Sequence, residues 1–332
     1  MTTILEIKNK MVHFYGKNEV YINPILKFIL AFVLFATINM NIGYMKSIST
    51  MPIALILALL CSVIPVAGMM GFSTLLILLD MYALSMEVCL VALLLFAVIY
   101  FLYFRFAPKH GFDVVLVPLC FKMNIPYVMP IGMGLLRGAY SVFAYICGAV
   151  LYFFLHGVKE NEAVLSGAAE AEDAASSKIV IALNQLLGNK EMYLVVGIMV
   201  VTTIIVYIIR RMSIENAWRV AIFSGVLFQT IGLIAGYMLL GISGKTVGVL
   251  VGNIVSAVIA LVIQFLFFNL DYSRTERLQF EDDEYYYYVK AVPKAFVAGS
   301  DKQVKRFSGK EEERITKKQF AKEMDIDEDL LD

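Results

Sequence analysis

MPIALILALLCSVIPVAGMMGFSTLLILLDMYALSMEVCLVALLLFAVIYFLYFRF, residues 51–106, carries only three charged side chains, Asp80, Glu87 and Arg105. One helix crossing a hydrocarbon core of about 30 Å needs roughly 20 apolar residues, so this stretch is long enough for more than one crossing. Its punctuation divides it. Pro65-Val66-Ala67-Gly68 and Ser85-Met86-Glu87 interrupt the helical pattern. They leave Pro52 to Ile64, Gly71 to Leu84 and Val88 to Phe104. The first two are short for a full crossing, so a re-entrant pair competes with two tilted spans. A re-entrant pair requires neighbouring protein around its broken backbone, because lipid offers no hydrogen-bond partners.

The same texture continues on both sides. Pro24 to Tyr44 reads as a first span, with Thr37, Asn39 and Asn41 near its far end. Gly138 to His156, Tyr193 to Ile209, Ala217 to Leu240 and Val247 to Asn269 read as four more. The fold class is therefore an all-α polytopic transmembrane helix bundle. An amphipathic interfacial segment covers residues 1–23, the transmembrane domain 24–270 with about eight spans, and a polar cytoplasmic tail 271–332. The composition agrees, with 60% hydrophobic and 17% charged residues and the charges gathered at the ends and in short loops. A formal net charge of zero gives no global field to attract nucleic acid. Cys61, Cys89, Cys120 and Cys147 lie in apolar segments without the spacing of a metal site, so no metal and no cofactor is expected. No small-x-small site follows the first apolar block, and that helix is expected to be retained rather than cleaved.

A second irregular region, residues 112–136, contains Pro118, Lys122, Asn124, Pro126 and Pro130, then Gly132 and Gly134. Neither half spans alone, and a hairpin entering from the cytoplasmic side fits better. The two broken regions share a faint echo, Leu60-Cys61 before Ile64-Pro65 and Leu119-Cys120 before Ile125-Pro126. Duplicated broken helices build central sites in transporters, although chance repetition in an apolar alphabet is the simpler reading. Residues 157–192 form a polar loop with a short helix from Ser177, as N-cap, to Gly188. Lys8, Lys10, Lys17, Arg105, Lys109, Arg137, Arg210, Arg211 and Arg219 fall in mutually consistent inside positions. Both termini are then cytoplasmic in a cell membrane, and the 157–192 loop is outside.

Asp80 is the carboxylate set deepest in an apolar run, a placement costly enough to mark it for transport; a hydrogen-bonded structural Asp is the plain alternative. Asp113, Lys122 and Arg137 flank the hairpin and are read as an inward vestibule for an anion, against a positive-inside role for the cations. Gln229, Asn253 and Gln264 more often join helices than bind substrate. His156 and Glu160, one turn apart, are expected to face water. Gly244, Gly248, Gly252, Ser256 and Ala260 make one face of the last span small. That face is expected to receive Gly232 and Gly236 of the preceding span, with a homo-oligomer interface as the alternative. Gly241 to Thr246 mimics a phosphate loop, but Leu239 stands where its first glycine belongs and no strand precedes it. No pattern of catalytic residues supports an enzyme. In the tail, Tyr285, Tyr286, Tyr287 and Tyr288 favour a strand ended by Pro293, and Phe320 belongs to a terminal helix; both are candidate surfaces for a cytoplasmic protein partner.

The opening from Phe14-Tyr15-Gly16 to Tyr21-Ile22-Asn23-Pro24, the Ile125-Pro126-Tyr127 break and the Glu281 to Pro293 block resemble a group of uncharacterised multi-spanning membrane proteins of Gram-positive anaerobes. The resemblance covers most of the chain and implies no activity. Expectation therefore rests on the residues: a transporter or permease-like component moving a small solute. The alternatives are a membrane scaffold whose tail recruits a soluble partner and, more weakly, an intramembrane enzyme using Asp80.

Overall fold

The structure is a computed structural model that describes residues 14–108, 110–166, 172–212, 216–242 and 244–268, single residues 8, 10, 11 and 214, and strand residues 276–281 and 286–291. In chain order the elements are α1 (Glu19–Asn41), α2 (Met51–Val63), α3 (Val66–Leu84), α4 (Met86–Phe106), α5 (Gly111–Lys122), α6 (Val128–Leu136), α7 (Ser141–Glu160), α8 (Glu162–Leu165), α9 (Glu172–Leu187), α10 (Lys190–Arg211), α11 (Ala217–Leu239), α12 (Thr246–Phe267), β1 (Glu276–Glu281) and β2 (Tyr286–Ala291). Among the described residues, seven helical runs are long and apolar enough to cross a membrane by length and composition: α1, α3, α4, α7, α11, α12 and the Lys178–Arg211 run, which contains α10. The protein is an all-α membrane bundle. α2 is shorter, 13 residues or about 20 Å at the helical rise.

The difference from the expected boundaries lies at Pro65. It occupies the N-cap of α3 with φ −58°, a value already suited to a helix, and Val66 to Gly68 join the first turn instead of forming a break. α3 thereby gains enough length to cross. Pro24 likewise lies inside α1, which starts at Glu19; near a helix start a proline loses one ladder bond without ending the helix. α9 starts at Glu172, ahead of Ser177, and stops at Gly188 as expected.

Hydrogen bonds place the helix ends on two faces. On the first, Lys8 Nζ donates to the Phe268 carbonyl at 2.6 Å, a cation closing the C-terminus of α12. On the second, the Met45 amide and Ser49 hydroxyl donate to Asp80 at 3.0 and 3.1 Å, tying the loop after α1 to the end of α3. Glu191, in the first turn of α10, accepts from Tyr237 and Lys245 on the same face.

Inside the bundle Phe35, Met81, Tyr145, Phe154 and Leu233 are fully buried, whereas Leu59, Leu94, Leu227 and Ile254 point outward. Apolar side chains on both inside and outside are what a lipid solvent permits, so close packing must hold the helices together. Gly225, Gly232 and Gly236 of α11 lie against Val206, Ile198 and Leu194 of α10. The neighbour of Gly232 and Gly236 is therefore α10, and not the small face of α12 that the spacing predicts. On α12, Gly252 lies against the Tyr127 ring, while a Cβ added at Gly248 would meet no atom within 4 Å. Gly244 stands in the preceding turn with φ +98°, a conformation that favours glycine. Ser256 and Ala260, further along the Gly252 face, are also buried.

Candidate functional site

α5 and α6 form a hairpin with both ends on the first face. Asp113, in the first turn of α5 and 5% exposed, is held by Arg137 Nε at 3.4 Å and His110 Nδ1 at 3.1 Å. Arg137 directly follows α6, and Arg210 of α10 donates to the Leu135 carbonyl in its last turn. These bonds close the base of the hairpin.

The tip follows from local chemistry. Asn124 adopts φ +59°, the Asn124 amide bonds back to Phe121 O at 3.1 Å, and the Ile125 amide to Cys120 O at 2.9 Å. This paired capping pattern satisfies the last carbonyls of α5, and Pro126 disfavours helix at Ile125. The chain turns, and α6 starts at Val128. Within α5, Pro118 has no N–H to give to the Val114 carbonyl. Gly148 of α7 comes so close there that a Cβ on it would sit 2.8 Å from that oxygen. The proline thus loosens one ladder step where the neighbouring helix is smallest. On the other side of the tip, Gln229 Nε2 donates to Tyr127 O at 3.2 Å and to Asn253 Oδ1, and Asn253 Nδ2 donates to Val249 O at 2.9 Å. Gln229 and Asn253 therefore join α11, α12 and the hairpin in the buried interior.

Between the hairpin and α1, α3, α4 and α7 lies a cavity of about 320 Å³. Its walls are mainly apolar, from Leu34, Ile38, Phe96, Ile99, Val115 and Leu119 among others, and Lys122, Asn124, Asn41, His156 and Lys159 gather at its second-face end. Tyr152, His156 and Lys159 share one face of α7 at helical spacing, and Tyr152 stacks on both Phe121 and His156 at centroid distances of 4.7 and 5.7 Å. His156 Nε2 is also 3.3 Å from Glu160. In the adjacent loop, burial and then the Glu162 carboxylate push the Tyr44 phenol up to about 12, so it stays neutral at ordinary pH.

The four transport candidates do not meet. Lys122 reaches the cavity, whereas Asp113 and Arg137 sit toward the other end of α5, about 14 Å away by helical rise. The expected joint vestibule is therefore divided, because the hairpin puts its tip and base at different depths. Asp80 turns to the Met45–Ser49 loop and lines no part of the cavity. Asn41, Asn124, His156 and Lys159 join the site with no motif to mark them in the sequence beyond the His156–Lys159 spacing on α7. Among the described residues no three His, Cys, Asp or Glu side chains gather as a metal site would require.

β1 and β2 pair antiparallel, with Glu276 opposite Ala291 and Glu281 opposite Tyr286. Tyr286 and Tyr287 are exposed, and Tyr288 pairs with Gln279 in the ladder. Tyr285, Phe320 and the expected terminal helix lie outside the described residues.

These features define a multi-pass α-helical integral membrane protein. No known family model, curated protein or solved structure matches the chain.

Proposed function

We propose that the protein is a transporter or permease-like component that moves a small solute through the cavity beside the α5–α6 hairpin. The observation that carries this reading is a broken helix whose tip lines a cavity inside the bundle. Irregular backbone at membrane depth is costly unless protein or a water-filled space satisfies it, and transporters commonly build their sites this way. The first face is assigned to the cytoplasm of a cell membrane, since Lys8, Lys10, Lys17, Arg105, Arg137, Arg210, Arg211 and Arg219 gather there. The cavity then opens toward the outside.

Transport requires that the cavity become reachable from both faces. With the four native cysteines replaced, Val114→Cys, deep in the cavity, is expected to react with an impermeant thiol reagent applied from either side of sealed vesicles. Reaction from the second face alone contradicts transport and favours a scaffold. In that case deletion of residues 271–332 removes partner co-purification without changing the labelling.

A further inference from the structure

The cavity has two chemically different ends. Apart from the phenols of Tyr100 and Tyr152, every ionisable side chain lining it is a potential cation: Lys122, His156 and Lys159; among the described residues no carboxylate joins them. Glu160, the partner of His156, is outside the lining. Deeper in, the polar groups are already engaged. Thr37 donates to Val33 O at 2.6 Å, and Ser73 and Thr74 both to Met70 O at 2.8 Å. Hydroxyls returned to their own helix leave little for a polar ligand, so the deep walls act as an apolar surface.

Two residues border both this space and the lipid-facing side. Thr74 Oγ1 and Tyr100 OH lie 3.0 Å apart, and the same two residues line an open groove on α3 and α4 with the exposed Leu75, Tyr82 and Leu93. We propose that the cavity takes a single-chain amphiphile with an anionic phosphate or carboxylate head, the head against Lys122, His156 and Lys159 and the tail along the apolar walls, and that the Thr74–Tyr100 pair is the partition through which the tail exchanges with the bilayer. The proposal names the substrate class of the site and rests on the transport reading above. A free inorganic anion would leave the apolar walls unused, and a neutral lipid would leave the cations unused. The volume falls in the range of small-ligand sites.

The test measures binding to the full chain in phosphatidylcholine nanodiscs, with decyl phosphate and decanoate as probes. Both are expected to bind saturably and to compete with each other, whereas inorganic phosphate and decanol do not compete at about tenfold higher concentration. The double variant Lys122→Gln/Lys159→Gln, at exposed positions that leave the packing intact, is expected to weaken decyl phosphate binding about tenfold, or about 1.4 kcal/mol. Tyr100→Phe, which removes the hydroxyl and keeps the ring, is expected to speed release. Equal competition by inorganic phosphate makes the ligand a free anion and overturns the amphiphile; equal competition by decanol, or an unaffected double variant, overturns the anionic head; unchanged release from Tyr100→Phe overturns the partition. Decyl phosphate binding without two-sided labelling of Val114→Cys keeps the ligand and removes transport. Two-sided labelling without that binding keeps transport and removes the ligand.

Discussion

Asp80 shows how a single residue can be notable for one reason and engaged for another. A carboxylate in an apolar run draws attention because its desolvation is costly, and here two donors from the loop after α1 offset that cost. Asp80→Ala is expected to lower stability by about 2 kcal/mol, the scale of hydrogen bonds to a charged group, and Asp80→Asn by less because its carbonyl still accepts. Thermal melting in detergent measures both; equal melting of Asp80→Ala and the parent would show that the loop does not depend on this anchor. Asp113 makes the complementary case. Arg137→Gln leaves its buried carboxylate with His110 alone, so the single variant is expected to be less stable than Asp113→Asn/Arg137→Gln, in which the charge is gone as well. A double variant that melts below Arg137→Gln would contradict this pairing.

Among elements, small residues decide which helices meet, and each glycine face has its own partner. Gly252 receives the Tyr127 ring, so Gly252→Leu is expected to push the hairpin tip away and to destabilise the protein by about 3 kcal/mol or more, within the upper range of overpacking. Gly248→Leu has open space and is expected to change melting little. Similar losses from the two variants would mean that Gly248 packs on a neighbour, as in the oligomer alternative. The sequence made the faces legible, since spacing by four is visible in one dimension. It did not make the partners legible, because Gly232 and Gly236 name no complement and Ile198, Leu194 and Tyr127 look like any other apolar residues. Pro65 and Pro126 were ambiguous for a similar reason. Proline serves equally at the start of α3 and after the turn that ends α5, and the neighbouring backbone decides between the two.

At the scale of the whole molecule, apolar length alone was enough to read a helical membrane bundle, while the prolines and Asn124 mark where α5 ends and α6 begins. The cavity was not legible in the same way. Its wall is assembled from α1, α3, α4, α5 and α7, elements spread over more than a hundred positions of sequence, and its cations Lys122 and Lys159 acquire a common role only once the hairpin tip stands beside the end of α7. The return of the hairpin to the face it left is therefore the central feature of the fold. Single cysteines at Phe106, Met123 and Gly138, in a background without the native four, test this by labelling sealed vesicles of known orientation with an impermeant thiol reagent. Phe106→Cys and Gly138→Cys are predicted to react from the same face and Met123→Cys from the opposite one; reaction of Phe106→Cys and Gly138→Cys from opposite faces would make α5 and α6 a crossing and contradict the account.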